Sequence, residues 1–89
     1  MTKIIQDVNI GTNLKKIRNS KEWTQEQVCA KLTVIGRPMI QSTYAQIETG
    51  ARNIFVSDLI ALKSIFNVEF DDIFHGLKPV NKYEMEENK

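Results

Sequence analysis

The segment Trp23 to Val28, reading WTQEQV, constrains this chain more than any other stretch, because it satisfies two separate rules for starting an α-helix. Thr24 stands at the N-cap and Gln27 at N3, so each side chain can satisfy the other's backbone N–H in a capping box. Trp23 and Val28 flank the box as a hydrophobic staple. A helix therefore begins at Gln25. It must stop by Ile35, since Gly36 and Pro38 follow and a residue before proline is pushed out of the α region.

Similar punctuation divides the rest. Ile10, Leu14 and Ile17 recur at helical spacing, with Lys15, Lys16, Arg18 and Lys21 around them, so an amphipathic first helix runs from an Asn9 N-cap to about Asn19–Lys21. A third helix, Gln41 to Thr49, ends in Gly50, a residue suited to a left-handed cap. After a connection over Ala51 to Phe55, the row Val56, Leu59, Leu62, Ile65 and Phe66 predicts a fourth helix ended by Asn67. Phe70, Ile73 and Phe74 predict a short fifth, closed by Gly76 before Pro79. No strand pair and no repeat is evident. The expected fold is all-α, a five-helix orthogonal bundle over residues 9–77, with an arm at 1–8 and a polar tail at 78–89 that carries Val80, Tyr83 and Met85. Core candidates are Trp23, Val28, Leu32, Tyr44, Ile47, Leu59, Leu62, Ile65, Phe66, Val68, Ile73 and Phe74, with the Tyr44 hydroxyl near the surface.

Eighty-nine residues leave room for one small core and no second domain. No apolar run approaches the roughly 18 residues of a membrane span, the N-terminus lacks a signal-peptide pattern, and Cys29 is the only cysteine, so a reducing cytoplasm is expected. The net charge of +1 conceals an asymmetry: residues up to Val68 carry nine Lys and Arg against five acids, and those from Glu69 onward carry three lysines against six. The basic excess lies in the part of the chain that carries the second and third helices, which suits a surface that faces an anion. One histidine and one cysteine cannot supply the usual ligand count of a metal site, and no nucleophile has a base beside it in sequence. No metal, cofactor or catalytic residue is expected. Cys29 reads as a buried, inert thiol.

Arg18 in the first helix, TQEQVCAKL in the second, STYAQIETGARN across the third and its exit, and NVEFDDIF near the end together resemble the XRE family of phage-repressor and Cro-like helix-turn-helix proteins. The likeness spans Ile10 to Leu77. It departs at Thr33 to Ile40, where eight residues stand in place of a tight turn of about three, and so resembles a branch with a widened turn. Ile40 occupies the place of a serine or threonine N-cap, and Phe55 that of a small polar cap.

Exposed polar residues on a helix are by themselves as consistent with a solvated face as with base recognition. The resemblance favours recognition, and implies a double-stranded DNA-binding regulator, expected to be a repressor that acts as a homodimer on a palindromic operator. Gln41, Ser42 and Gln46 match the base-contacting positions, and glutamine can bond bidentately to adenine. Gln25 matches a phosphate clamp at a helix N-terminus. Thr43, Thr49, Arg52, Asn53 and Arg37 are further phosphate candidates, and Arg18 with Glu48 is an expected structural salt bridge. Dimerisation is expected through Phe70, Phe74, Leu77 and Tyr83. Two other readings stand beside this one. The fold could read a protein partner through Tyr44 and the widened turn, or the chain could be an antitoxin that binds DNA and holds a partner protein with its C-terminal tail.

Overall fold

Local chemistry decides most of the helix ends. In the computed structural model, which describes residues 4–81, Thr24 is extended, its hydroxyl accepts the Gln27 N–H at 3.1 Å, and its own N–H donates to Gln27 Oε1 at 2.7 Å. The capping box is complete. The chain then runs as α1 (Gly11–Ser20), α2 (Gln25–Val34), α3 (Gln41–Thr49), α4 (Val56–Phe66) and α5 (Phe70–Ile73), with no strand among the described residues. Gly50 closes α3 at φ 82° and Asn67 closes α4 at φ 54°, both in the left-handed region expected of such caps.

Several boundaries differ from the expectation. Ile10, not Asn9, is the N-cap of α1; Asn9 still serves the helix start, because its Oδ1 accepts the Gly11 N–H at 2.7 Å. Helix α2 ends at Val34, within the expected limit of Ile35, but the widened turn is then the six residues 35–40 rather than eight. The Arg37 N–H, bonded to the Leu32 carbonyl at 2.9 Å, folds the exit back onto the helix. Helix α5 is a single turn that ends at Phe74, ahead of Gly76, and its start is a second capping box between Glu69 and Asp72. The expected arm at Ile4 and Ile5 belongs to no helix or strand, and both side chains are exposed.

The core lies where α3 packs on α1 and α2, α2 on α4, and α1 on α5. Leu14, Val28, Leu32, Tyr44, Ile47, Leu62, Phe66 and Ile73 are fully buried. Burial of one such side chain contributes about 1.5–3 kcal/mol, so these residues dominate the stability of so short a chain. Trp23, Leu59, Ile65 and Val68 pack against them half-buried, and the Trp23 ring stacks on Phe66 with centroids 5.8 Å apart. Phe74 is a correction: it was expected inside and is 45% exposed. Tyr44 is another, since its hydroxyl is buried with the rest of the side chain rather than near the surface. Tyr83 and Met85 lie outside the described residues.

Candidate nucleic-acid interface

Helix α3 divides cleanly by face. Tyr44, Ile47 and Glu48 turn inward and are buried, while Gln41, Ser42, Gln46 and Thr49 are exposed and Thr43 is half-buried. The inward face is clamped at its C-terminal end by charge. Arg18 Nε donates to Glu48 Oε2 at 2.7 Å and Nη2 to Oε1 at 3.0 Å, a two-bond fork between α1 and α3, with 12% and 2% of the respective side chains exposed. Arg18 Nη1 also donates to the Trp23 carbonyl at 2.8 Å, which ties the start of α2 into the same clamp. The expected salt bridge is present and almost dry.

Three ionisable groups are shifted there. Burial alone would raise the Glu48 carboxyl, but the bonds from Arg18, followed by interactions with Tyr44 and Gln25, outweigh it and hold the carboxyl below its ordinary range. The bond to Glu48 raises Arg18, so the guanidinium stays charged at any ordinary pH. Burial foremost, and then the neighbouring Glu48 carboxylate, push the Tyr44 phenol up and away from ionisation. The Tyr44 oxygen has no partner within good hydrogen-bond geometry, so the carboxylate acts on it without an ideal bond. Burial likewise pushes the Cys29 thiol up, as expected of an inert cysteine.

From this clamp a relay of amides runs out to the surface. Gln25 Nε2 donates to Glu48 Oε1 at 3.0 Å, and Gln25 Oε1 accepts from Gln41 Nε2 at 2.6 Å. The carboxylate can only accept, so the amide of Gln25 must point its nitrogen inward and its oxygen toward Gln41. That in turn spends one N–H of Gln41 and leaves the Gln41 Oε1 and a second N–H for another partner. The orientation of an exposed amide is thus set by a buried ion pair. At the other end of the face, Arg52 Nε donates to Gln46 Oε1 at 2.9 Å, so two candidate residues of different roles hold each other.

The remaining candidates separate. Gln25, expected as a phosphate clamp, has both ends of its side chain engaged inside the protein, which leaves its position in the first turn of α2 as its means of reaching a phosphate. Thr49 Oγ1 donates back to the Gln46 carbonyl at 3.1 Å, and Asn53 is exposed. Arg37 Nε donates to Asp58 Oδ1 at 2.8 Å, an ion pair that ties the widened turn to the start of α4. Two residues outside the expected set fix α1, the first against α3 and the second against the end of α5. Gly11 lies so close to α3 that a Cβ there would collide with the backbone carbonyl oxygens of Ile47 and Glu48, and Asn13 Nδ2 donates to the Ile73 and His75 carbonyls at 2.8 and 2.9 Å. A small residue at the foot of an amphipathic helix was the available signal for Gly11. Nothing in the sequence pointed to Asn13.

Among the described residues no group of His, Cys, Asp or Glu is placed to hold a metal ion, and no helix is long and apolar enough to cross a membrane. A family model described as helix-turn-helix matches residues 14–73, from the middle of α1 to the end of α5. No curated protein and no solved structure gives a match.

Proposed function

This chain belongs to the XRE, or Cro-like, helix-turn-helix family of DNA-binding regulators, with a lambda-repressor-like fold, and from that premise we propose that it is a cytoplasmic repressor acting as a homodimer on a roughly palindromic operator. Helix α3 enters the major groove, where Gln41, Ser42 and Gln46 read base edges, while Arg52, Thr43, Thr49, Asn53 and the first turn of α2 at Gln25 hold phosphates. Arg37 contributes less, because Asp58 already neutralises it.

The observation that carries this reading is the one-sided build of α3: an exposed row of amides and hydroxyls whose opposite face is locked by a dry ion pair. A merely solvated helix has no need of so firm a mount. One such module touches only a few base pairs, and two half-sites about one helical turn apart give a useful specificity. Of the two parts of the protein-reading alternative, Tyr44 is buried and so removed from any contact, while the widened turn stays exposed; most of the tail that would hold a partner, 82–89, lies outside the described residues.

Selection of bound sites from random duplex DNA tests the reading directly, and a palindromic consensus is the expected result. On that site, Gln46→Ala should relax the preference at one base pair by about 1–3 kcal/mol. Arg52→Ala should weaken all sequences alike and flatten the salt slope by about one unit. Enrichment of no sequence, with no salt dependence, would reject DNA as the target.

A further inference from the structure

We propose that Ile40 is a specificity residue that reads thymine, taking the 5-methyl group of a thymine in the pair next to the one faced by Gln41. This rests on the DNA reading above. Ile40 is the N-cap of α3, with φ −77° and ψ 151°, and makes no side-chain cap bond. Serine, threonine, aspartate or asparagine would stabilise the helix at that position by accepting an orphan N–H, so an isoleucine sacrifices helix stability. Folding gains little in exchange: the side chain is 69% exposed, although Met39 before it packs on the core and Tyr44 after it is fully buried. Phe55 is an apolar cap of the same kind on α4, but Ile40 alone stands at the start of α3, beside the exposed amide of Gln41, where an apolar side chain is placed for a contact outside the molecule.

Its position says what that use is. Ile40 immediately precedes Gln41, whose amide is oriented by Gln25, and both stand at the end of α3 that enters a groove first. Among the four bases, thymine alone presents an apolar group in the major groove, and the established partners of that methyl are small apolar side-chain surfaces. Isoleucine is branched at Cβ and stiff about χ1, so it meets the methyl with little further loss of freedom. Beside an amide that suits adenine, an apolar wedge selects for a run of A·T pairs. Ile60, 53% exposed on α4, has the same side chain away from the α3 row and serves as the control.

The test replaces each thymine of the selected site, one at a time, by uracil, which keeps the hydrogen-bonding edge and removes only the methyl. The native protein should lose about fourfold in affinity at one thymine per half-site, the worth of burying a single methyl group. Ile40→Ser should abolish that sensitivity, and Ile60→Ser should keep it. Serine can cap α3, so the melting temperature of Ile40→Ser should hold or rise, which separates lost recognition from lost structure. An equal uracil penalty in Ile40→Ser and the native protein overturns the proposal, as does a flat uracil scan on a site that is otherwise bound specifically. Failure to bind any duplex would instead overturn the DNA reading itself, and this one with it.

Discussion

Glu48 concentrates at one residue what the mount of α3 depends on. Its side chain is 2% exposed, and the carboxylate receives two bonds from Arg18 and one from Gln25, with the Tyr44 hydroxyl buried nearby. A buried ion pair is poor evidence of net stabilisation, since desolvation offsets the Coulomb gain, but loss of one partner strands the other. Glu48→Ala is therefore expected to cost about 3–5 kcal/mol in denaturant unfolding at neutral pH, because it leaves Arg18 buried and unpaired. The pH dependence has a definite sign. The folded carboxyl is held below its ordinary value of 4.5, so its contribution is complete above that value and is lost as pH falls through the lower, folded value. Unfolding measured from pH 6 down to pH 3 should show this loss below about pH 4.5, and Glu48→Gln should flatten that part of the profile. An unchanged acid limb would mean that other carboxylates set it. The pairing of Arg18 with Glu48, far apart in the chain, came from the family likeness and not from any spacing. That Gln25 joins it was not legible at all, because an amide's partner depends on what tertiary packing brings within reach.

At the scale of elements, the contact of α1 with α3 sets the angle at which the exposed face of α3 is displayed. The approach is so close at Gly11 that any Cβ would strike the Ile47 and Glu48 carbonyl oxygens, which are backbone and cannot turn aside. Gly11→Ala should therefore destabilise by about 3 kcal/mol, the upper range for overpacking, and should weaken DNA binding more than the residual folded fraction explains. Denaturation and binding measured on the same preparation check it; native-like stability would show that the two helices can part without loss. Helices α2, α3 and α4 were legible residue by residue, because a capping box at Thr24 and left-handed ends at Gly50 and Asn67 are local chemistry. The exit of α2 was not. Its end at Val34 falls within the limit that Gly36 and Pro38 set, but its closure uses the Arg37 N–H and the Asp58 ion pair, and no local signal reports a partner on another helix. Phe74 was misplaced because only one side chain of the one-turn α5, Ile73, reaches the core, and Phe70 and Phe74, four apart on the same side, both stay exposed.

At the scale of the whole molecule, one patch of exposed apolar surface lies away from α3. The N-terminal segment, the start of α4 and the chain after α5 enclose an open groove of about 370 Å³, lined among others by Ile4, Ile5, Val56, Phe74 and Leu77. Ile4, Ile5, Val56 and Phe74 are between 45% and 74% exposed, a contiguous display that a monomer rarely tolerates without use. A second copy is the occupant that the proposed operator symmetry asks for, because a two-fold site needs a two-fold protein. Of the residues expected at the interface, Phe70 and Phe74 are exposed and Leu77 is half-buried, while Tyr83 lies outside the described part. Phe74→Glu puts a charge on the rim of this groove, at a side chain that contributes little to the core, so stability should change by no more than about 0.5 kcal/mol. Sedimentation should then report a dimer for the native chain and a monomer for the variant. Affinity for a full palindrome should fall by roughly a hundredfold as the second half-site becomes independent, while affinity for an isolated half-site stays the same. Equal losses on full and half sites would place the interface elsewhere, since only a broken dimer discriminates between them.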